Sequence, residues 1–207
     1  MKTKSEIGLT TKAIKEQNNN MPTTLKYTYQ LRVTLNHIEP KIWRSVLVPS
    51  SITLPKLHTI LQIVMGWMDS HLHMFVHNGK SYGIPDDLDE FDIQNEKSVK
   101  LSNLLSKEGD FVLYEYDFGD GWTHEVLLEK IQPFDTTREL PNCRDGERSC
   151  PPEDCGGAWG YQNLLEIITD PEHPEFDEMN EWLGDEFSAE FFDASETTDL
   201  LREYAKC

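Results

Sequence analysis

Apolar and polar residues alternate from Leu25 to Leu35: Leu25, Tyr27, Tyr29, Leu31, Val33 and Leu35 interleave with Lys26, Thr28, Gln30, Arg32 and Thr34. A period of two puts one set on each side of a half-buried strand. After an NHIEP turn, KIWRSVLVP predicts a second strand that pairs with the first as a hairpin. The period then changes. Leu57, Ile60, Leu61, Val64 and Met65 recur at helical spacing, with Thr53 as N-cap, Pro55 in the first turn and Gly66 at the end. HLHMFVHNGKSYGI predicts strand, Asn78-Gly79 turn and strand, and VKLSNLLSKEG a short helix. DFVLYEYDFGDGWTHEVLLEKI predicts a second hairpin, joined near Phe118-Gly119-Asp120-Gly121. Beyond a loop holding Cys143, Cys150 and Cys155, the stretches AWGYQNLLEIITD, PEFDEMNEWLG and ASETTDLLREYA predict three helices, broken by Pro171, Pro174 and Gly184.

Strands in the first two thirds and helices concentrated in the C-terminal third indicate an α+β fold with mostly antiparallel hairpins. Residues 1–22 are polar and end in Asn-Asn-Asn-Met-Pro, which suggests a disordered tail before a single α+β domain over 23–207. Met21 is an alternative start. Five Trp, nine Phe and seven Tyr supply enough apolar area for a sizeable core.

Charge narrows the partners. The net charge is −18, from 37 acidic against 19 basic residues. Twelve Asp or Glu and no Lys or Arg fall between Asp170 and Asp199, and a second acidic cluster comprises Asp86, Asp87, Asp89, Glu90, Asp92 and Glu96. Phosphate backbones are bound chiefly through Lys and Arg, so direct nucleic-acid binding is disfavoured and the expected partner is a protein met through the acidic surface. The sequence offers no apolar run of membrane-spanning length and no signal-peptide core, so the expected location is the cytoplasm. Cysteines there are mostly reduced, and a cysteine cluster is more often a metal or catalytic feature than a disulfide.

Three segments carry candidate chemistry. In HLHMFVH, His71, His73, Phe75 and His77 share one strand face, so His71 and His73 are placed to share a metal, or else to stand as a polar outer face. In YEYDFGDGWTHE, Asp117, Asp120 and His124 are candidates for a metal site or for acid–base chemistry, set against ordinary Gly-Asp-Gly turn chemistry. The third segment has C-x6-C-x4-C spacing through Cys143, Cys150 and Cys155, unlike the paired C-x2-C of common zinc modules. Three thiolates need a fourth zinc ligand, for which His71, His73, His124 or Asp154 is available, and Glu153 is a candidate beside an open position. The chain contains no G-x-S-x-G, H-E-x-x-H or G-x-G-x-x-G, so no familiar enzyme class is indicated.

Taken in order, IWRSVLVPSSITLPKLHTILQIVMGWMDSHLHMF, YEYDFGDGWTHEV and CPPEDCGGAWGYQNLLEII resemble the plasmid pRiA4b ORF-3-like family, members of which are also described as passenger proteins of insertion elements. The resemblance runs from about residue 25 to about residue 202. It implies a compact α+β domain with antiparallel strands and assigns no activity. A resolvase role does not fit a chain this acidic. Carried onto this sequence, the family motifs cover His71, His73, Asp117, Asp120, His124, Cys150, Glu153, Asp154 and Cys155. The leading functional expectation is a non-catalytic interaction or accessory module tied to mobile elements. The alternatives are a zinc-binding Cys/His protein, in one form a metal-dependent hydrolase, and a metal-independent hydrolase acting through Asp117, Asp120 and His124. The three segments are also expected to meet in space, with Cys150 or Cys155 near a histidine.

Overall fold

The computed structural model describes residues 27–85, 93–184 and 187–207. The expected tail, the strand start at Leu25 and the acidic residues 86–92 lie outside the described residues. Among the described residues eight strands form one sheet: β1 Tyr27–Leu35, β2 Trp43–Pro49, β3 His73–His77, β4 Lys80–Gly83, β5 Ile93–Asn95, β6 Phe111–Tyr116, β7 Trp122–Pro133 and β8 Asn142–Glu147. Their spatial order is β5-β4-β3-β6-β7-β1-β2-β8. Every neighbouring pair is antiparallel except β4 with β5. Five α-helices accompany the sheet: α1 Leu54–Met65, α2 Leu101–Leu104, α3 Gly157–Thr169, α4 Phe176–Leu183 and α5 Ala194–Tyr204. None of them is long and apolar enough to cross a membrane.

The mixed α+β class therefore holds, but the expected concentration of helices at the C-terminal end does not. Strands run to Glu147, and α1 and α2 precede β6. The apolar side of the sheet needs cover, and α1 supplies it early. Leu57, Ile60, Leu61, Val64 and Met65 of α1 are buried in one cluster with Tyr29, Leu31, Val33 and Leu35 of β1. Gly66, at φ 83, closes the helix by donating its N–H to Gln62 O and Ile63 O. Asn78 and Gly79, at φ 49 and 74, turn β3 into β4 with the positive dihedrals of a tight hairpin.

Strand β8 was not foreseen, because NCRDGE has no period-two pattern. It is an edge strand made by its partners: it pairs with β2, with a bulge between Ser45 and Val46. Thr198 of α5 then clamps Cys143, its Oγ1 accepting from Cys143 N and donating to Cys143 O, both at 3.0 Å. Glu96, counted with the solvated acidic cluster, is instead buried against His73.

Two buried polar residues show how the core is held. Arg44 is almost wholly enclosed, and among the described residues it has no carboxylate in ion-pair range. Its Nε donates to Val64 O at the C-terminal turn of α1, and Nη1 donates to Trp43 O and Glu147 O, each at 2.8 Å. The guanidinium lies 3.9 Å from the Phe192 ring centroid. One helix-end carbonyl, two strand carbonyls and a π face thus take the place of a counter-ion. His124 is fully buried, with Nδ1 3.2 Å from Tyr114 O.

Arg44→Ala leaves three carbonyls without their donor and opens a cavity. Urea unfolding is expected to show a loss of about 3 kcal/mol or more, and a loss under about 1 kcal/mol contradicts this role.

Burial pushes the His124 imidazole down to about 4. Above the ordinary histidine value it is neutral in both states and contributes no pH dependence. Between about 6.5 and about 4 the unfolded chain takes up the proton and the folded chain does not. Stability should therefore fall as pH drops through that window, with about 3 kcal/mol from this residue. Urea midpoints of wild type and His124→Gln across the window check this, and the variant's profile is expected to be flatter.

Candidate metal centre

The sheet brings three segments to one edge of the core. Strands β6 and β7 end together at the Tyr116–Trp122 pair. The chain turns through Asp117, a non-glycine residue at φ 54, a conformation that Asp tolerates better than most. Asp117 Oδ1 accepts from Gly119 N at 2.9 Å, and Asp117 O accepts from Gly121 N at 2.6 Å. Asp117 N donates to Leu72 O at 2.9 Å, which locks the turn to the segment entering β3, beside His71.

The loop before α3 is pinned from the other side. Trp67 Nε1 donates to Pro151 O at 3.0 Å, and the Trp67 ring stacks on Tyr116 with centroids 4.9 Å apart. Glu153 Oε1 accepts from Met68 N at 2.9 Å and from the Tyr116 hydroxyl at 3.0 Å. That hydroxyl is itself fixed by Ser70 N at 3.0 Å, and burial raises its pKa to about 12, so it stays a donor. Asp120 Oδ2 accepts from Gly156 N at 3.1 Å. A Cβ on Gly157 would collide with Asp120 O, so the turn and the loop are in close backbone contact.

The result is a convergence on His71. Its Nε2 lies 3.7 Å from Asp117 Oδ2, 3.6 Å from Glu153 Oε2 and 3.2 Å from Asp154 Oδ1. This nitrogen is screened from solvent, yet none of the three contacts has hydrogen-bond geometry. The atoms offered by His71, Asp117 and Asp154 all lie within 4.8 Å of one another, the only such group of three or more His, Cys, Asp or Glu among the described residues. Two ligands on one ion at about 2.1 Å, 90–120° apart, are separated by about 3.0–3.6 Å. The separations from His71 Nε2, 3.2–3.7 Å, lie close to that range. Asp154 is largely exposed and also has a left-handed backbone, at φ 57, so one side of the group faces water.

The remaining candidate residues lie elsewhere. His71 and His73 do not share a site. His71 precedes β3 and sets its ring edge against Tyr116, whereas His73 stacks on His58 at 3.5 Å and meets Glu96 at 3.2 Å. His58 continues that buried network to Asp69 and to the Tyr114 hydroxyl, both at 2.8 Å. His124 sits in the core with its ring edge toward Trp67. Asp120 serves the turn and the start of α3.

The three sulfurs do not gather either. Cys143 lies in β8, and Cys150 Sγ rests 3.6 Å from Met65 Sδ. Burial pushes the thiol of Cys143 up to about 11 and those of Cys150 and Cys155 up to about 12, so all three are neutral at physiological pH. The CPPEDC segment does meet HLH and DFGDG, but through Glu153 and Asp154. Tyr116 and the Met68 amide, which orient Glu153, carried no signal in the sequence, since Tyr116 reads there as one more apolar-face residue.

The sequence model of the family described as plasmid pRiA4b ORF-3-like protein matches residues 27–196. An uncharacterized protein of Sinorhizobium fredii (strain NBRC 101917 / NGR234), y4hQ, is 38% identical over 177 residues, covering 83% of this chain and 91% of that protein. A crystal structure of a protein of unknown function, MM3350 of Methanosarcina mazei Go1, is similar at 39% identity with a TM-score of 0.77, covering 84% of this chain and 98% of that one. Three segments meeting at one end of the central strands β3, β6 and β7 are thus seen in a chain that belongs to the plasmid pRiA4b ORF-3-like family.

Proposed function

We propose that the protein binds one divalent cation of the zinc or manganese type through His71, Asp117 and Asp154, with Glu153 as a fourth ligand, and that the bound ion activates water for hydrolysis. The observation that carries this reading is the solvent-screened His71 Nε2, without a hydrogen bond and 3.2–3.7 Å from three carboxylate oxygens. One imidazole with carboxylates suits zinc, manganese or ferrous iron. Magnesium keeps most of its water, and calcium takes six to eight oxygens. The exposed side at Asp154 leaves room for a water ligand, the condition for Lewis-acid chemistry. The one group of three close ligand atoms among the described residues contains no cysteine, which supports a site without sulfur.

A second reading is a non-catalytic module for a basic protein partner. It draws support from the half-exposed Trp182 and Phe191, which stand within the acidic stretch from Asp170 to Asp199.

Metal-stripped protein is expected to take up about one zinc or manganese per chain in calorimetric titration. His71→Ala and Asp117→Asn should abolish uptake, while Cys150→Ser should keep it. Uptake retained in His71→Ala, or lost only in Cys150→Ser, overturns the assignment. Tyr116→Phe removes the donor that orients Glu153, and a roughly tenfold or greater loss of metal affinity with little change in the midpoint of the metal-free protein is expected. Saturating zinc at about a hundred times its dissociation constant should stabilise the wild type by about 2.7 kcal/mol, and EDTA should reverse this.

A further inference from the structure

Across the Asp117–Gly121 turn from the metal centre lies a cleft of about 380 Å³. It opens between that turn, the start of α3 and the β1–β2 connection, and it is lined by Asn36, His37, Asp120, Trp159 and Gln162 among others. The same two loops build both places. They present Asp117 and Asp154 on one side, and Asp120 and Gly156 on the other, joined by the bond from Gly156 N to Asp120 Oδ2.

Trp159 is 88% exposed, the most exposed large apolar side chain among the described residues. Core packing does not explain it. Helix α3 buries Gly157, Tyr161, Leu164 and Ile167, and Trp159 stands on the opposite side. Gln162, three residues further on, also lines the cleft, and its amide donates to Glu166 Oε1 at 3.4 Å. The lining is therefore one flat apolar platform ringed by amides, an imidazole and a carboxylate, with no Lys or Arg. A phosphorylated ligand finds no cation there, and the net charge of −18 opposes polyanions. A pyranose ring fits this chemistry: its C–H face lies on an indole, and its hydroxyls both donate to and accept from amide and carboxylate groups.

We propose that this cleft binds a neutral saccharide ring. The assignment is independent of the metal reading, since none of His71, Asp117, Glu153 and Asp154 lines the cleft. The test is a neutral-glycan array probed with the full chain. Calorimetric titration of the best-bound oligosaccharide then follows, in EDTA and in zinc, with adenosine and uridine as comparison ligands. Because Trp159 is exposed, Trp159→Ala keeps the fold. Oligosaccharide binding in EDTA is expected, roughly tenfold weaker in Trp159→Ala and also weakened in Gln162→Ala. A blank array, binding of the nucleosides in place of glycans, or unchanged affinity in Trp159→Ala overturns the proposal. Glycan binding by a chain that takes up no metal sustains the cleft and removes the metal centre. Metal uptake with a blank array does the reverse.

Discussion

Three carboxylates held around one imidazole nitrogen repel each other, and that repulsion sets the terms for this end of the molecule. Two unit charges 4 Å apart near a protein surface interact by about 4 kcal/mol. Asp117, Glu153 and Asp154 all stand within 4 Å of His71 Nε2. The fold keeps two of them in place with aimed donors: Gly119 N on Asp117 Oδ1, Met68 N on Glu153 Oε1, and the Tyr116 hydroxyl on both Glu153 oxygens at 3.0 and 3.3 Å. Asp117 Oδ2 and Glu153 Oε2 face His71 Nε2 at 3.7 and 3.6 Å. A divalent cation reverses the sign of the problem, since the charges that repel one another all attract it.

The rest of the architecture serves this arrangement at a distance. Pairing of β6 with β7 fixes where the Asp117 turn begins, and Trp67, just after α1, holds the CPPEDC loop through Pro151. Behind them His58 and His73 stack, with both His58 ring nitrogens and His73 Nε2 facing a carboxylate or a hydroxyl. Unpaired polar groups would be costly there, and these bonds partner most of the network. Arg44 ties the end of α1 to β2 and β8 from the far side.

The sequence was most legible where local chemistry decides structure. The alternation along β1, the helical spacing of α1 and the Asn78-Gly79 turn all stand, because side-chain period and backbone dihedrals set them without help from distant partners. Strands β5 and β8 were invisible, because they exist only as edges added to neighbours. The site was half legible. His71 and Asp117 stood out as polar residues in apolar company, and Asp154 and Glu153 were at hand, but the three cysteines drew the stronger attention. Only tertiary contact separates them: the Cys150 sulfur rests against Met65 and that of Cys143 near Asp145 O, while Glu153 and Asp154 turn to His71. Spacing along the chain carries no record of that choice.

That choice is also where the account is most exposed to test. X-ray absorption at the zinc edge of the loaded wild-type protein reads the ligand atoms directly. The account predicts a first shell of nitrogen and oxygen alone, at about 2.0–2.2 Å. A sulfur shell at about 2.3 Å would place the ion on the cysteines and contradict the centre described for His71, Asp117, Glu153 and Asp154.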